Sequence, residues 1–151
     1  MPNVLTTDMF IYLIDSRRYD DAEALVTPDI TYENSRGSVS GWPAIRRGMD
    51  ALNCFSATQH LIGNHLGWWD GDHFAGKTYC IASHMYERDG ESRRYEMGIC
   101  YDEHIVRFDG ALKMKHRRLT LLWQHDLPTV AMPPQIFLDA MARLMPATEN
   151  G

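Results

Sequence analysis

Residues 84–97 read HMYERDGESRRYEM, and the Asp89-Gly90 pair at their centre predicts a tight turn between two strands. Asp-Gly supplies the positive φ angles that a two-residue hairpin needs. The same pair recurs at Asp70-Gly71 and Asp109-Gly110, each time between runs rich in aromatic and β-branched residues. The sequence therefore predicts an antiparallel meander of four strands, near 58–69, 73–87, 93–107 and 112–125. Strands about twice the usual length must twist, so the sheet should be curved.

The N-terminal third has a helical pattern instead. The predicted elements there are a helix from Thr6 or Thr7 to Arg18, a short helix over 19–26, a strand over 30–34 and a helix starting at Trp42-Pro43. A tail helix over 133–145 should close a pocket or cover a sheet edge. The expectation is an α+β fold with one domain over 1–151 and a core over 5–126.

Composition restricts the partners and the compartment. The 151 residues carry a formal net charge of −5 and no basic run, which argues against a nucleic-acid partner. No apolar run approaches the length of a membrane span, and the N-terminus lacks a signal-peptide pattern. The three cysteines form no CxxC pair, which favours reduced thiols. We therefore expect a cytoplasmic protein with no nucleic-acid partner and no membrane partner.

Strand alternation groups the residues that could carry chemistry. The groups expected on shared faces are Thr58, His60, Ile62 and Asn64; Thr78, Cys80, Ala82, His84 and Tyr86; Met97, Ile99 and Tyr101; and Met114, His116, Arg118 and Leu122. His65 should point away from His60, since an odd number of positions separates them. Alternation alone does not say which faces are concave.

Other kinds of site have little support in the sequence. There is no HExxH, HxH or carboxylate cluster for a metal, and no Gly-rich phosphate loop for a nucleotide. His73, His104 and His125 are interpreted as surface residues. Asp15 ends an apolar helical segment, and periodicity alone favours a solvated polar residue there. His84 is open to two interpretations, a hydrogen-bonded core histidine or a catalytic one.

Three segments of the chain resemble the SnoaL-like branch of the NTF2-like superfamily. They are LIDSRRYDD (13–21) followed by LVTPD (25–29), ATQHLIGNH (57–65), and the last hairpin from YDEH (101–104) through RFDG (107–110) to LLW (121–123). The resemblance implies a cone-shaped, cystatin-like fold, in which a curved antiparallel sheet and N-terminal helices enclose a pocket. It also implies a homo-oligomer, trimer or dimer, packed through the outer face of the sheet.

Within that superfamily the chain is most similar to scytalone dehydratase and hexachlorocyclohexane dehydrochlorinase, which are cofactor-independent lyases with an Asp–His pair. The resemblance identifies Asp15 and His60 as this pair and His84 as a second catalytic histidine. The groups that orient the dehydratase's substrate differ here. Ile14 and Asn34 stand near the positions of its two pocket tyrosines, and Tyr101 stands near that of a pocket asparagine. Scytalone itself is therefore not the expected substrate.

The chemistry implied is general acid–base catalysis without a metal or cofactor. Asp15 would fix the tautomer of His60, which would remove a proton from the substrate. The predicted substrate-binding residues are Tyr32, Asn34, Trp42, Phe55, Ile62, Met97, Ile99 and Tyr101, with Met132 or Phe137 added by the tail. They suit a hydrophobic aromatic or alicyclic substrate. The leading hypothesis is a dehydratase-like lyase; the alternatives are an isomerase or polyketide cyclase with the same base, and a non-catalytic ligand-binding module.

Overall fold

The computed structural model describes residues 2–130 and 133–144. Its helices and strands are α1 (Pro2–Asp15), β1 (Val26–Asn34), β2 (Gly37–Ser40), α2 (Trp42–Met49), β3 (Ala57–Asp70), β4 (His73–Arg88), β5 (Glu91–Phe108), β6 (Ala111–Pro128) and α3 (Gln135–Leu144). Short 3₁₀ helices span Asp20–Leu25 and Asp50–Cys54. The fold is α+β, with a curved, open six-stranded sheet that has helices on its concave side, as the resemblance implies.

The sheet has the order β2-β1-β6-β5-β4-β3. The four long strands β3 to β6 form the predicted antiparallel meander. The pairing of the short N-terminal strand was not predicted: β1 lies beside β6 and runs parallel to it. The short strand β2 was not predicted; its four residues, GSVS, are all exposed and carry no burial pattern.

Two of the three Asp-Gly turns have the predicted geometry. Asp89-Gly90 and Asp109-Gly110 have positive φ at both residues, as a two-residue hairpin requires. The first turn lies one residue later than predicted. Asp70 pairs with His73 in the ladder, so the turn consists of Gly71 and Asp72, and only Gly71 has positive φ.

A bulge in β3 overturns the prediction that His60 and His65 point to opposite faces. Ile62 pairs with Cys80 and His65 pairs with Thr78, so two residues of β3 lie opposite one residue of β4. The extra residue reverses the alternation. His65 therefore returns to the concave face, where its Nδ1 lies 2.9 Å from the hydroxyl of Thr78.

A second irregularity, in β6, overturns the predicted face of that strand. Its register with β5 shifts at Lys115, between Met114 and His116. Met114 is fully buried, but His116 and Arg118 do not share its face. Arg117 is buried instead, with 3% of its surface exposed.

The concave face of the sheet holds the core. One buried cluster joins α1, α2, β1 and β6 through Phe10, Leu13, Ile14, Ile30, Ile45 and Met114, among others. A second joins α1 to β4 and β5 through Ile11, Cys80, Ala82, Ile99 and Tyr101. Together the two clusters leave a space between the helices and the sheet.

The tail helix forms where predicted but does not close that space. The side chains of α3 are largely exposed, with Ile136 at 79% and Phe137 at 53%. Phe137 lines none of the cavities described below, which overturns its predicted place in the pocket wall. Met132 and residue 145 lie outside the described residues. None of the described helices is long and apolar enough to cross a membrane.

Candidate active site

The end of α1 positions Asp15. The amide of Arg17 donates to the carbonyl of Ile14 at 3.1 Å, and the amide of Arg18 donates to that of Leu13 at 2.9 Å. Arg17 has a φ of 60°, so these bonds form a Schellman motif that ends the helix. The helix thus ends at Asp15, earlier than predicted, and the Asp15 carboxylate lies in its last turn. The predicted Thr7 cap is instead inside the helix, where its hydroxyl donates to Glu103 at 2.7 Å.

Asp15 and His60 form the predicted contact. The Nδ1 of His60 lies 2.7 Å from Oδ1 of Asp15, and the backbone N–H of His60 donates to Oδ2 at 2.8 Å. The Thr58 hydroxyl donates to Oδ1 at 2.9 Å. Burial alone would raise the pKa of Asp15, but the hydrogen bonds and charge interaction with His60 outweigh it and lower the pKa. An ionised carboxylate only accepts hydrogen bonds, so Nδ1 of His60 carries a proton and Nε2 is the free ring nitrogen.

His84 lies beside this pair. Its ring centroid is 5.7 Å from that of His60, with the two planes nearly perpendicular. Its Nδ1 is 3.4 Å from the carbonyl oxygen of Tyr95, a long contact that only an N–H can make favourable. Burial, and then the neighbouring His60, lower the pKa of His84. The neutral ring is therefore favoured, with Nε2 as its unprotonated nitrogen.

A central cavity of about 400 Å³ lies between the helices and the sheet. That volume is within the range of small-molecule sites. Both histidines line it, with five of the predicted substrate-binding residues: Tyr32, Asn34, Met97, Ile99 and Tyr101. Much of the remaining wall is apolar and comes from side chains of α1, α2 and β1 that the sequence analysis did not name, among them Phe10, Ile30 and Ile45.

Three predicted wall residues lie elsewhere. Trp42 is buried in the core at the start of α2. Ile62 faces a side groove between α1 and β3, which is also lined by Asp8, Asp15 and His60. Phe55 belongs to a second space, the outer cavity, beyond His84. Sequence spacing did not separate these neighbouring concavities, because all three residues are apolar and near the catalytic segment.

Sequence analysis missed a buried ion pair at the cavity. Arg117 lines the cavity, and its Nε donates to Oε1 of Glu103 at 2.8 Å, with Nη2 bonded to the same oxygen. The guanidinium carbon lies 4.4 Å from the ring centroid of Tyr101 and 4.7 Å from that of Phe10. Glu103 continues the alternation of Met97, Ile99 and Tyr101, which is the one sequence signal that could have found it. Arg117 was missed because the register shift at Lys115 places it, rather than Arg118, on the face of Met114.

Comparison with known proteins agrees with this architecture. Residues 6–118 match the model of the SnoaL-like domain, which is most of the chain. The chain belongs to the SnoaL-like family. This confirms the family named from the three sequence segments.

Relatives of this SnoaL-like chain are distant. The uncharacterised protein Rv2910c of Mycobacterium tuberculosis is 28% identical over 114 residues, which cover 74% of this chain and 77% of Rv2910c. A candidate scytalone dehydratase from Novosphingobium aromaticivorans superposes with a TM-score of 0.75 at 18% identity, covering 88% of this chain and 90% of that one. The hexachlorocyclohexane dehydrochlorinase LinA-type3 from Novosphingobium barchaimii gives 0.73 at 13% identity, covering 85% and 90%. At such identities these structures show the shared fold.

Over residues 2–130 and 133–144, no group of three or more His, Cys, Asp or Glu side chains is arranged to hold a metal ion. The side chains of Asp15 and His60 are instead hydrogen-bonded to each other. The pair also borders the side groove, and the Asp15 side chain is 23% exposed, so protons can exchange with solvent there.

The lowered pKa of His84 predicts an acid-sensitive stability. The unfolded chain binds a proton at His84 near the ordinary value of 6.5, whereas the folded chain binds it only at lower pH. The free energy of unfolding should therefore fall as pH drops from about 6.5 through the lowered pKa. His84→Gln should flatten that fall, measured by urea unfolding at stepped pH. His125→Gln, at an exposed position, is the control and should keep the wild-type slope; equal slopes for both variants would contradict the prediction.

Proposed function

We propose that this SnoaL-like protein is a cofactor-independent lyase, which eliminates water or another small group from a hydrophobic aromatic or alicyclic substrate. The observation that carries the proposal is the Asp15–His60 pair. Asp15 occupies Nδ1 of His60, and this leaves Nε2 as the free basic nitrogen of a side chain that lines the cavity. The names of the two structural neighbours, a candidate dehydratase and a dehydrochlorinase, support an elimination.

The reaction begins with His60 as general base. Nε2 takes a proton from a substrate carbon next to a carbonyl group or next to an aromatic ring that carries a hydroxyl. The electrons of the broken C–H bond form the new double bond. The bond to the leaving group breaks, and a departing hydroxyl takes a proton and leaves as water. That proton comes from the His60 imidazolium, because the neutral His84 ring has no proton on Nε2 to give. Asp15 stabilises the imidazolium between these steps, and such acid–base catalysis contributes about 10²–10⁴-fold.

Groups across the cavity can hold the substrate oxygen. Burial raises the pKa of Tyr32 and Tyr101, so both phenols stay protonated and can donate hydrogen bonds. The Arg117 guanidinium lies beside Tyr101 and keeps its charge, since Glu103 pairs with it. Negative charge that develops on a substrate carbonyl or phenol oxygen would be stabilised there. The apolar remainder of the wall would bind the substrate's hydrocarbon skeleton.

An isomerase with the same base is the second candidate. It is favoured by the same pair, because His60 could return its proton to a different carbon. The test is a screen of hydroxylated aromatic and alicyclic ketones, followed by ultraviolet absorbance and by NMR in D₂O. A lyase releases a small product, whereas an isomerase incorporates deuterium without release. A panel showing neither activity with wild-type protein, while the compounds still bind, would favour a binding module instead.

The remaining expectations stay predictions. The absence of a cofactor and a cytoplasmic location are two of them. The third is a homo-oligomer, which is supported by a row of outward-facing positions paired across the sheet, Leu61, Ile81, Gly98 and Trp123. Leu61 is 65% exposed and Trp123 39%. Light scattering of the purified protein tests it, and a monomer at micromolar concentration would contradict it.

A further inference from the structure

The concave face of the sheet continues beyond the catalytic histidines. Tyr86 follows His84 two positions along β4, on the same face, and pairs with Arg93 of β5. The outer cavity, of about 750 Å³, lies at this end of the sheet. Its lining is Asn53, Cys54, Phe55, Ser56, Met85, Tyr86, Glu87, Ser92, Arg93, Arg94, Thr129 and Val130. It is therefore a second concavity next to the central one.

The Phe55 side chain lies between residues of the two spaces. The ring centroid of Phe55 lies 4.7 Å from that of His84, which lines the central cavity, and 6.2 Å from that of Tyr86, which lines the outer one. Phe55 itself contributes to the outer cavity only. The contact between the Phe55 and His84 rings thus forms the partition.

The backbone on both sides of Phe55 is held independently of its ring. The carbonyl of Phe55 accepts a hydrogen bond from Nη2 of Arg17 at 3.0 Å, and its amide donates to Leu52 at 3.1 Å. The amide of Ser56 donates to the carbonyl of Met85 at 2.8 Å. Shortening the side chain should therefore open the partition without moving the segment that carries it.

The chemistry of the outer cavity differs from that of the central one. Its arginines are matched by acids: Nε of Arg93 lies 2.9 Å from Asp126, and Nε of Arg94 lies 3.1 Å from Glu96. Tyr86, Ser92 and Asn53 add neutral polar groups. Glu87 also lines this space and disfavours an anionic ligand part, so the part that fits best is uncharged and hydrogen-bonding.

We propose that Phe55 determines the length of the substrate, by closing the central cavity at the His84 end against the outer cavity. This rests on the proposed function, because it takes the central cavity as the substrate site. Wild-type protein then accepts a compact ring system. Removal of the Phe55 ring admits a longer ligand, whose apolar part fills the central cavity and whose neutral polar end extends past His84 into the outer cavity.

The test uses two probes and measures binding by titration calorimetry. The compact probe is β-naphthol; the long probe is the same molecule with a hydroxyhexyl chain at the end of the ring system opposite the hydroxyl. In Phe55→Ala, the long probe should bind at least about tenfold tighter than in wild type, since added methylenes become buried. Val39→Ala enlarges the central cavity at β2, which three strands separate from β4 and His84, and is the matched control that should give no such gain.

Equal long-probe affinity in wild type and Phe55→Ala would overturn the proposal, and so would an equal gain in Val39→Ala. Phe55→Leu, a milder truncation, repeats the comparison if the alanine variant unfolds. The proposed function has a separate test, since it is contradicted if no substrate is turned over in a way that depends on His60. The double variant His60→Asn/Phe55→Ala lacks the proposed base. If it also binds the long probe more tightly than wild type does, the partition is supported whether or not catalysis is found.

Discussion

Replacing His60 by alanine should lower kcat for the substrate found by the screen about 10²–10⁴-fold, because the general base is lost. KM should change far less, since the apolar wall that binds the substrate remains. Asp15→Asn should give a loss of at least about 10²-fold. An amide can donate to Nδ1, which would place the imidazole proton on Nε2 and remove the base. The measurement is initial rate against substrate concentration.

The two substitutions should not be additive. If Asp15 acts only through His60, the double variant should be no slower than His60→Ala alone. His104→Ala, at an exposed position on β5, is the matched histidine control and should retain wild-type turnover. Unchanged turnover in His60→Ala would exclude His60 as the base, and additive losses would place Asp15 in direct contact with the substrate.

Replacing Glu103 by glutamine should cause the largest loss of stability. The side chains of Glu103 and Arg117 are 3% and 4% exposed, and the substitution leaves the arginine as an uncompensated buried charge. Breaking a buried pair in this way typically costs about 3–5 kcal/mol. Urea unfolding should show a lower midpoint with the same cooperativity. The combination Glu103→Gln with Arg117→Met should recover part of the loss, because it removes the charge as well.

The neighbouring residue supplies the control. Asp102 lies next to Glu103 on β5 but faces outward, where it pairs with Lys77 at the surface. Solvent screens such a pair, so Asp102→Asn should shift the urea midpoint little. If both variants unfolded at the same denaturant concentration, the buried pair would have no special role in the stability of this fold.

The sequence predicts the meander well because each hairpin carries its own local signal. Asp89-Gly90 and Asp109-Gly110 form turns whatever the rest of the chain does. The bulge near Gly63 and the shift at Lys115 have no such signal. A single extra residue in a strand changes the side that each later residue faces but hardly changes composition. The misplacement of His65 and the omission of Arg117 both follow from those two positions.

The candidate site was predicted in part. Asp15 was recognised only through the family resemblance, since helical periodicity by itself favours a solvated chain end there. The hydrogen bond to His60 depends on a contact between residues 45 positions apart in the sequence. Trp42, Phe55 and Ile62 were assigned to the pocket for their apolar character. Whether each one lines a cavity, as Phe55 and Ile62 do, or is buried in the core, as Trp42 is, depends on the course of the chain around α1 and α2.

The hydrogen bond from the His60 backbone amide to Asp15 has a consequence for solubility. β3 is an outermost strand, and the unpaired amides of such a strand invite pairing with a strand of another molecule. The Asp15 carboxylate occupies one of these donors and places a negative charge beside it. Asp15, which orients the proposed base, thus also hinders the pairing of β3 with a strand of another molecule. Variants at Asp15 should self-associate more readily than variants at His60, which keep the amide and its acceptor.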